Sequence, residues 1–554
     1  MGPRPQLDPN APVILKDGPM RPSLNVWLMR TLCALGLLCS LSAHALTPAD
    51  ALALVAGDTG DRITTLNRLA AEADDNASAL IKAMAEENVR VDGERVLIVQ
   101  GDGALDAVTG EALASLPEAA EDVMINNRLR SAIETALAGM DLFGATPERQ
   151  REAAKSLQRN AFDEPDAAQL PLIDKALAGE LEPQARQMLE LAQAAVLLTS
   201  DDEAQRLAAA EKLGEARQAI VRPLLVQRMD AEASPAVKAA LTASLARLER
   251  SLAISSALAQ AFTGVSLGSI LLLAALGLAI TYGLMGVINM AHGELIMIGA
   301  YATWLVQSFF RESLPGLFDG YLLVALPIAF ITSALVGAAM ERTVIRFLYG
   351  RPLETLLATW GISLVLMQGV RTLFGAQNVG VENPSWMSGS ITLMGNLTLP
   401  WNRIIIIAFA AAVLLGVTLM ITRTRLGLFV RGVTQNRPIA ACMGVNTARI
   451  DTYAFALGSG IAGLAGCALS QIGNVGPDLG QGYIVDSFMV VVLGGVGQLA
   501  GTVYAAFGLG ILNKFLEGWA GAVLAKIAVL VFIIVFIQKR PQGIFAMKGR
   551  SAEA

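Results

Sequence analysis

The feature that most constrains this chain is a run of apolar blocks between residues 258 and 538, most of them long enough to cross a lipid bilayer. They fall at 258–284, 290–310, 321–342, 354–374, 403–422, 452–472, 484–497, 500–518 and 522–538. Lipid offers no hydrogen-bond partner to a bare peptide group, so a spanning segment of about 20 apolar residues has to be helical. The expected fold is therefore all-α: a polytopic helical membrane protein of about 8–9 spans, preceded by a mainly helical domain. A composition of 54% hydrophobic and 16% charged residues agrees with a lipid bilayer as the main partner. A net charge of -6 with no long basic run argues against nucleic acid. The four cysteines show no disulfide or metal-ligand spacing, and Cys442 and Cys467 read as small apolar fillers.

Residues 1–45 read as an N-terminal extension and signal peptide, with Met20 as an alternative start. Arg21 and Arg30 supply the positive region, 32–41 the apolar core, and Ala43-His44-Ala45 a small-residue cleavage site. An uncleaved anchor is the alternative. Either way the following domain, 46–252, is expected on the periplasmic side of a bacterial inner membrane. It is rich in Ala, Leu, Glu and Arg at helical spacing. Asp92-Gly93, between β-branched runs, reads as a two-residue hairpin. An internal repeat relates Arg151 to Arg206, Pro171 to Pro223 and Pro183 to Pro235. Paired helices at such a period point to a HEAT-like α-solenoid, with a packed helical bundle as the plain alternative.

The transmembrane body is placed at 258–545 and a cytoplasmic tail at 546–554. Arginines and lysines mark the cytoplasmic loops. These are Arg342, Arg346 and Arg351; then Arg423, Arg425, Arg431, Arg437 and Arg449; then Lys539, Arg540, Lys548 and Arg550. An outside domain with an inside tail requires an odd number of crossings, which nine blocks satisfy.

Two polar segments interrupt the apolar sequence. Asn289-Met-Ala-His292-Gly-Glu294 puts an imidazole and a carboxylate at the start of a span, where pathway or gating and helix capping are both open roles. His292 and Glu294 do not share a helical face, so a catalytic dyad is not expected. Gly494, Gly495 and Gly497 break an apolar run, either as a pathway-lining break or as tight packing. Gly458, Ala462 and Gly466 at four-residue spacing favour close helix approach. The second segment, 423–449, is basic with a helix-like centre, either a solvated loop or a surface helix that docks a partner.

The polar residues near the spans are mostly amides and hydroxyls, namely Ser363, Gln368, Asn378, Gln471 and Asn474. Such groups suit a small neutral hydrogen-bonding solute, and equally serve as helix–helix contacts. Asp486, Lys514, Glu517 and Lys526 read as span-edge residues.

Segment 423–449, with 289–301, Val491-Val-Leu-Gly-Gly-Val-Gly497 and Arg540-Pro-Gln-Gly-Ile-Phe545, resembles the permease subunits of branched-chain amino-acid ABC importers. The stretch 374–386 and Thr434-Gln-Asn-Arg-Pro438 look like the urea-importing branch (the B-type permease), as does the long N-terminal domain. The resemblance implies a transport subunit, not an enzyme, moving urea by alternating access. A branched-chain amino-acid or short-amide importer is the alternative. It also implies a second related permease, two cytoplasmic ATPase subunits and a periplasmic binding protein as partners. No cofactor is expected on this chain. It contains no Gly-x-x-x-x-Gly-Lys-Ser/Thr loop, so ATP would be used by partner subunits. The ATPase-coupling residues implied are Arg425, Gly427, Arg431, Asn436, Arg437, Ile439, Met443 and Gly444. From another class, an ion-coupled secondary transporter or channel remains the rival, and it would have no ATPase to dock.

Overall fold

The computed structural model describes residues 46–545 apart from 73, 102, 114, 118, 143–145 and 395–396. The expected signal peptide, with Cys33, Cys39 and His44, and the tail 546–554 lie outside the described residues. The chain forms two compact units, one comprising residues up to Glu215 with Pro223–Ser244, the other Ala216–Arg222 with the chain from Leu245 onward.

The first unit opens with α1 (Pro48–Ala56), α2 (Thr59–Glu72) and α3 (Asp75–Ala85). Thr47 caps α1 by accepting from the Asp50 N–H, and Pro48 occupies the position where a missing N–H costs least. A five-stranded antiparallel sheet follows, made of β1 (Val89–Asp92), β2 (Arg95–Gln100), β3 (Gly103–Asp106), β4 (Ala112–Leu113) and β5 (Glu121–Asp122). Its order is β4-β3-β2-β1-β5. The expected hairpin is present with its loop moved by one residue: Asp92 pairs with Arg95, leaving Gly93-Glu94 as the turn. Only Gly93 has positive φ, at 61°, the pattern of a type II′ turn. Beyond the hairpin, the other three strands had no signal in the sequence reading.

Helices then follow as α4 (Asn127–Asp141), α5 (Pro147–Asp163), α6 (Leu170–Ala178), α7 (Pro183–Leu197), α8 (Glu203–Glu215) and α9 (Val221–Ala231). The related prolines occupy like places: Pro171 and Pro223 lie near the starts of short helices, and Pro183 and Pro235 open the helices after them. Glu232, 4% exposed, joins α8 and α9 by pairing with Arg206 through two 3.1 Å contacts and with Arg228 at 3.2 Å.

The second unit contains most of α10 (Pro235–Met285), within which the expected junction at 252–258 falls. It continues with α11 (His292–Ser313), α12 (Tyr321–Thr343), α13 (Pro352–Phe374), the hairpin β6 (Ser390–Met394) and β7 (Leu397–Pro400), and α14 (Trp401–Arg423). Then come α15 (Arg425–Gln435), α16 (Arg437–Cys442), α17 (Thr447–Ser470), α18 (Gln481–Gly494), α19 (Leu499–Ala520) and α20 (Ala522–Lys539). All nine apolar blocks are helical, and among the described residues seven helices are long and apolar enough to span. The other two are α11, diluted by His292, Glu294 and Gln307, and α18, which has 14 residues. The chain is a polytopic, mostly α-helical membrane protein.

Burial orders these helices. The most apolar windows of α10 and α17 are 83% and 78% buried, against 17% for α14 and α20. The first pair forms the centre, and the second presents its side chains to lipid. Close approach explains how α17 fits there. A Cβ on Gly466 would lie 1.9 Å from the Ile296 carbonyl of α11, and one on Gly458 2.6 Å from the Gly277 carbonyl of α10. Cys467 is buried against this packing, whereas Cys442 is exposed, so the filler reading fits only the first.

Candidate functional site

α10 stops at Gly286, whose φ of +66° turns the backbone out of the helix, and α11 starts only at His292. The intervening backbone is non-helical yet largely buried: Val287, Asn289 and Ala291 are at most 4% exposed. Irregular backbone at membrane depth is tolerated where protein or an internal cavity covers it. Here α13 covers it. Thr359 Oγ1 accepts from the Met290 N–H at 3.1 Å and shares its one hydrogen between the Leu356 carbonyl at 3.1 Å and the Ile288 carbonyl at 3.4 Å, while Ser363 Oγ donates to Glu294 Oε1 at 2.8 Å. Asn289 Oδ1 accepts from the Ala291 N–H at 3.1 Å, an Asx turn that shapes the break. His292 Nε2 lies 2.9 Å from the Ala274 carbonyl. A carbonyl only accepts, so Nε2 carries the hydrogen and Nδ1 is a bare acceptor.

Beside the break is a cavity of about 240 Å³. Leu278, Ile288, Met290, Leu356, Ile484, Val485 and Phe488 line it, with Asn289 as the one polar residue.

The remaining candidates separate. Gln471 is buried, accepts from Tyr321 Oη at 3.2 Å and donates to Ser470 Oγ at 3.1 Å. Asn378 and Asn474 are exposed beside the Val379–Val475 bridge, and Gln368 is exposed on α13. Of the five amides and hydroxyls, only Ser363 therefore joins the break. Gly494, Gly495 and Gly497 form the end of α18 and the turn to α19. The Ile544 N–H donates to the Leu493 carbonyl at 2.8 Å, so this glycine turn receives the segment 540–545. Gly497 also borders a second cavity, about 500 Å³, walled by Ala279, Gly283, Arg431, Thr434, Gln435 and Gln498 among others. Lys514 pairs with Glu517 at 2.6 Å, and Lys526 approaches Asp486 at 4.0 Å.

Segment 423–449 is two short helices. Thr424 caps α15 by accepting from the Gly427 N–H, and Asn436 caps α16 by accepting from the Ile439 N–H. Arg425 opens α15, and Gly427 sits in a corner where a Cβ would fall 2.1 Å from the Ile421 carbonyl. Arg431 Nε donates to the Gly427 carbonyl at 3.3 Å. Gly444 ends the segment with φ +85°. Ile439 and Met443 are 60% and 79% exposed, and Leu428 and Phe429 of α15 are exposed as well.

Sequence reasoning missed what holds α16. Arg437 pairs with Asp451 of α17, which is fully buried, and stacks 5.0 Å above the Tyr349 ring. Tyr349 Oη donates to Glu341 Oε1 of α12 at 3.1 Å, and Thr452 Oγ1 donates to Glu341 Oε2 at 2.7 Å. Arg346 adds a 3.6 Å contact to Glu341, itself fully buried. The one available signal was a carboxylate at the edge of each apolar block, facing arginines already assigned to the same side.

Comparison with known proteins bears on the second unit. Residues 260–538, just over half the chain, match the family described as branched-chain amino acid transport system / permease component. The permease protein LivH of the high-affinity branched-chain amino acid transport system from Escherichia coli K12 is 30% identical over 295 residues, covering 52% of this chain and 94% of LivH. BraD of Pseudomonas aeruginosa, described in the same terms, is 27% identical over 297 residues, covering 52% and 95%. The ribose import permease protein RbsC of Escherichia coli K12 is 28% identical over 208 residues, covering 35% and 61%. No solved structure matches. With its helical body matched from end to end, this chain belongs to the permease-component family of branched-chain amino acid transport systems.

Proposed function

We propose that the chain is the membrane-spanning subunit of an ATP-driven importer for amino acids with branched aliphatic side chains, working by alternating access. The observation that carries the substrate class is the cavity of about 240 Å³ beside the helix break, whose wall is apolar, formed by seven apolar residues and Asn289. An aliphatic side chain gains by leaving water for such a wall. Urea, polar on every edge, would lose its hydration there with little in return. The named relatives point the same way, so the amino-acid alternative takes precedence over urea.

On this reading Ile439 and Met443 supply the apolar contact for a cytoplasmic ATPase subunit, with the arginines of α15 and α16 around it. ATP is used there, on the partner. A second related permease and a periplasmic binding protein complete the assembly. The first unit then lies in the periplasm and Lys539 on the cytoplasmic side.

Uptake of labelled leucine and labelled urea by cells lacking this chain tests the reading. Leucine uptake at low concentration should be lost and regained with the wild-type chain, but not with Ile439→Asp/Met443→Asp, which should still insert. Loss of urea uptake with leucine uptake intact would return the assignment to urea.

A further inference from the structure

Resting on the amino-acid reading above, we propose that the break between α10 and α11 binds the charged ends of the transported amino acid. The Glu294 carboxylate takes the ammonium, the Asn289 amide donates to the carboxylate, and the aliphatic side chain fills the adjoining cavity.

The argument starts from unmatched polar atoms. Asn289, His292 and Glu294 are each at most 1% exposed, and each has one side-chain atom without a partner: Nδ2, Nδ1 and Oε2. A buried polar atom left unpaired costs about 1–3 kcal/mol, more when charged. Two of the three, on Asn289 in the break and on Glu294 in the first turn of α11, lie where α13 covers the chain, whereas the His292 ring is set against Ala274 and Gly277 of α10. Asn289 Nδ2 can only donate, while Glu294 Oε2 accepts. An amino acid supplies the complement, with N–H donors on the ammonium and acceptors on the carboxylate. A buried carboxylate is costly unless a cation or a proton neutralises it. No arginine or lysine lies within ion-pair distance of Glu294 among the described residues, so the place of a cation is open to a ligand's ammonium.

Placement supports the same order along the site. On α13, Leu356, Thr359 and Ser363 stand at i, i+3 and i+7, and so share one face. Leu356 walls the cavity, Thr359 clips the backbone on both sides of Asn289, and Ser363 holds Glu294. Seven residues of helix span about 10 Å, a length that one amino acid and one hydrogen bond can bridge. The sequence from cavity to amide to carboxylate therefore matches side chain, carboxylate and ammonium. The N-terminus of α11 adds its positive dipole end beside Asn289, as broken helices do for anionic substrate groups.

The test uses the full chain in nanodiscs, with labelled leucine displaced by leucine, 4-methylpentanoate (no ammonium) or 3-methylbutylamine (no carboxylate). The wild type should bind both analogues at least tenfold more weakly than leucine. Glu294→Gln should weaken leucine at least tenfold and leave 4-methylpentanoate unchanged. Asn289→Ala should weaken leucine and leave 3-methylbutylamine unchanged. Wild-type chain that fails to bind leucine, or binds 4-methylpentanoate as tightly, overturns the proposal without any variant. So does Glu294→Gln with wild-type leucine affinity. Leucine uptake by cells carrying the wild-type chain separates the two failures: if uptake stands while these results go the wrong way, only this assignment of groups falls.

Discussion

Replacing Arg437 by Gln tests how α16 is held to the membrane helices. The change removes the cation facing Asp451 and the guanidinium stacked on Tyr349. Asp451 has no exposed surface, and its second oxygen already has no partner, so only the more distant Arg346 guanidinium remains to offset its charge. Breaking a fully buried pair costs about 3–5 kcal/mol. The Arg437 side chain is 37% exposed, so water replaces part of what is lost and the lower figure, about 2–3 kcal/mol, applies. Asp451→Asn in the same chain removes the stranded charge. The double variant should therefore be more stable than Arg437→Gln alone, an interaction of at least about 1 kcal/mol in the cycle. Arg437→Lys should fall between, keeping charge but losing the planar stack. Thermal unfolding of the detergent-solubilised full chain reads all five proteins: the wild type, Arg437→Gln, Asp451→Asn, the double variant and Arg437→Lys. If Arg437→Gln unfolds with the wild type, or Asp451→Asn makes it worse, the pair does not hold α16 and the reasoning is refuted.

Two further outcomes are expected. Burial pushes the Glu232 carboxyl up, but the Ser234 N–H and the Arg206 and Arg228 guanidinium groups outweigh it and hold the carboxyl at about 2 against an ordinary 4.5. That difference corresponds to roughly 3 kcal/mol of folded-state stability at neutral pH. A depressed carboxyl contributes fully above its unfolded pKa, so the stability should fade as pH falls from about 5 to about 2. Protection factors for hydrogen exchange in 203–240, corrected for the intrinsic slowing of exchange in acid, should fall over that window, and those of a Glu232→Gln chain, already low at neutral pH, should not change; equal pH dependence in both would count against it. In the second, Gly495→Ala puts a Cβ 2.3 Å from the Phe545 carbonyl at a residue with φ +98°. Segment 540–545 should lose its place, seen as faster tryptic cleavage after Lys539, since Pro541 blocks cleavage after Arg540, whereas Gly482→Ala, with open space around it, should leave cleavage unchanged.

The membrane body was legible because lipid forces one solution: an apolar block of sufficient length has to satisfy its backbone internally. Even α11 and α18, one too polar and one too short to pass as ordinary spans, stand among the nine apolar blocks at 290–310 and 484–497. The direction of polar side chains was not legible from composition near the spans. Ser363 and Gln368 are five residues apart on α13, which turns them about 140° from each other; one meets Glu294 and the other is exposed. The ion-pair cluster was hidden for another reason. Glu341 and Asp451 lie in blocks separated by four helices and a hairpin, so only the packing of α12 on α17 makes them neighbours. Local spacing carries no trace of that.

These pieces meet on one helix. The N-terminal turns of α17 carry Asp451 and Thr452, the groups that anchor Arg437 and Glu341. Its later turns carry Gly458, set against Gly277 of α10, and Gly466, set against Ile296 of α11, two residues beyond Glu294. A helix of 24 residues is about 36 Å long and stiff along its axis. Backbone contacts made through glycine leave no flexible side chain to absorb a shift, so any displacement of α17 at Asp451 has to be met by α10 and α11 near the break. Packed interfaces of this kind change by discrete steps more readily than by continuous deformation. The same close packing that lets α17 occupy the centre of the second unit therefore gives the surface helix α16 mechanical contact with the segment that carries Asn289 and Glu294.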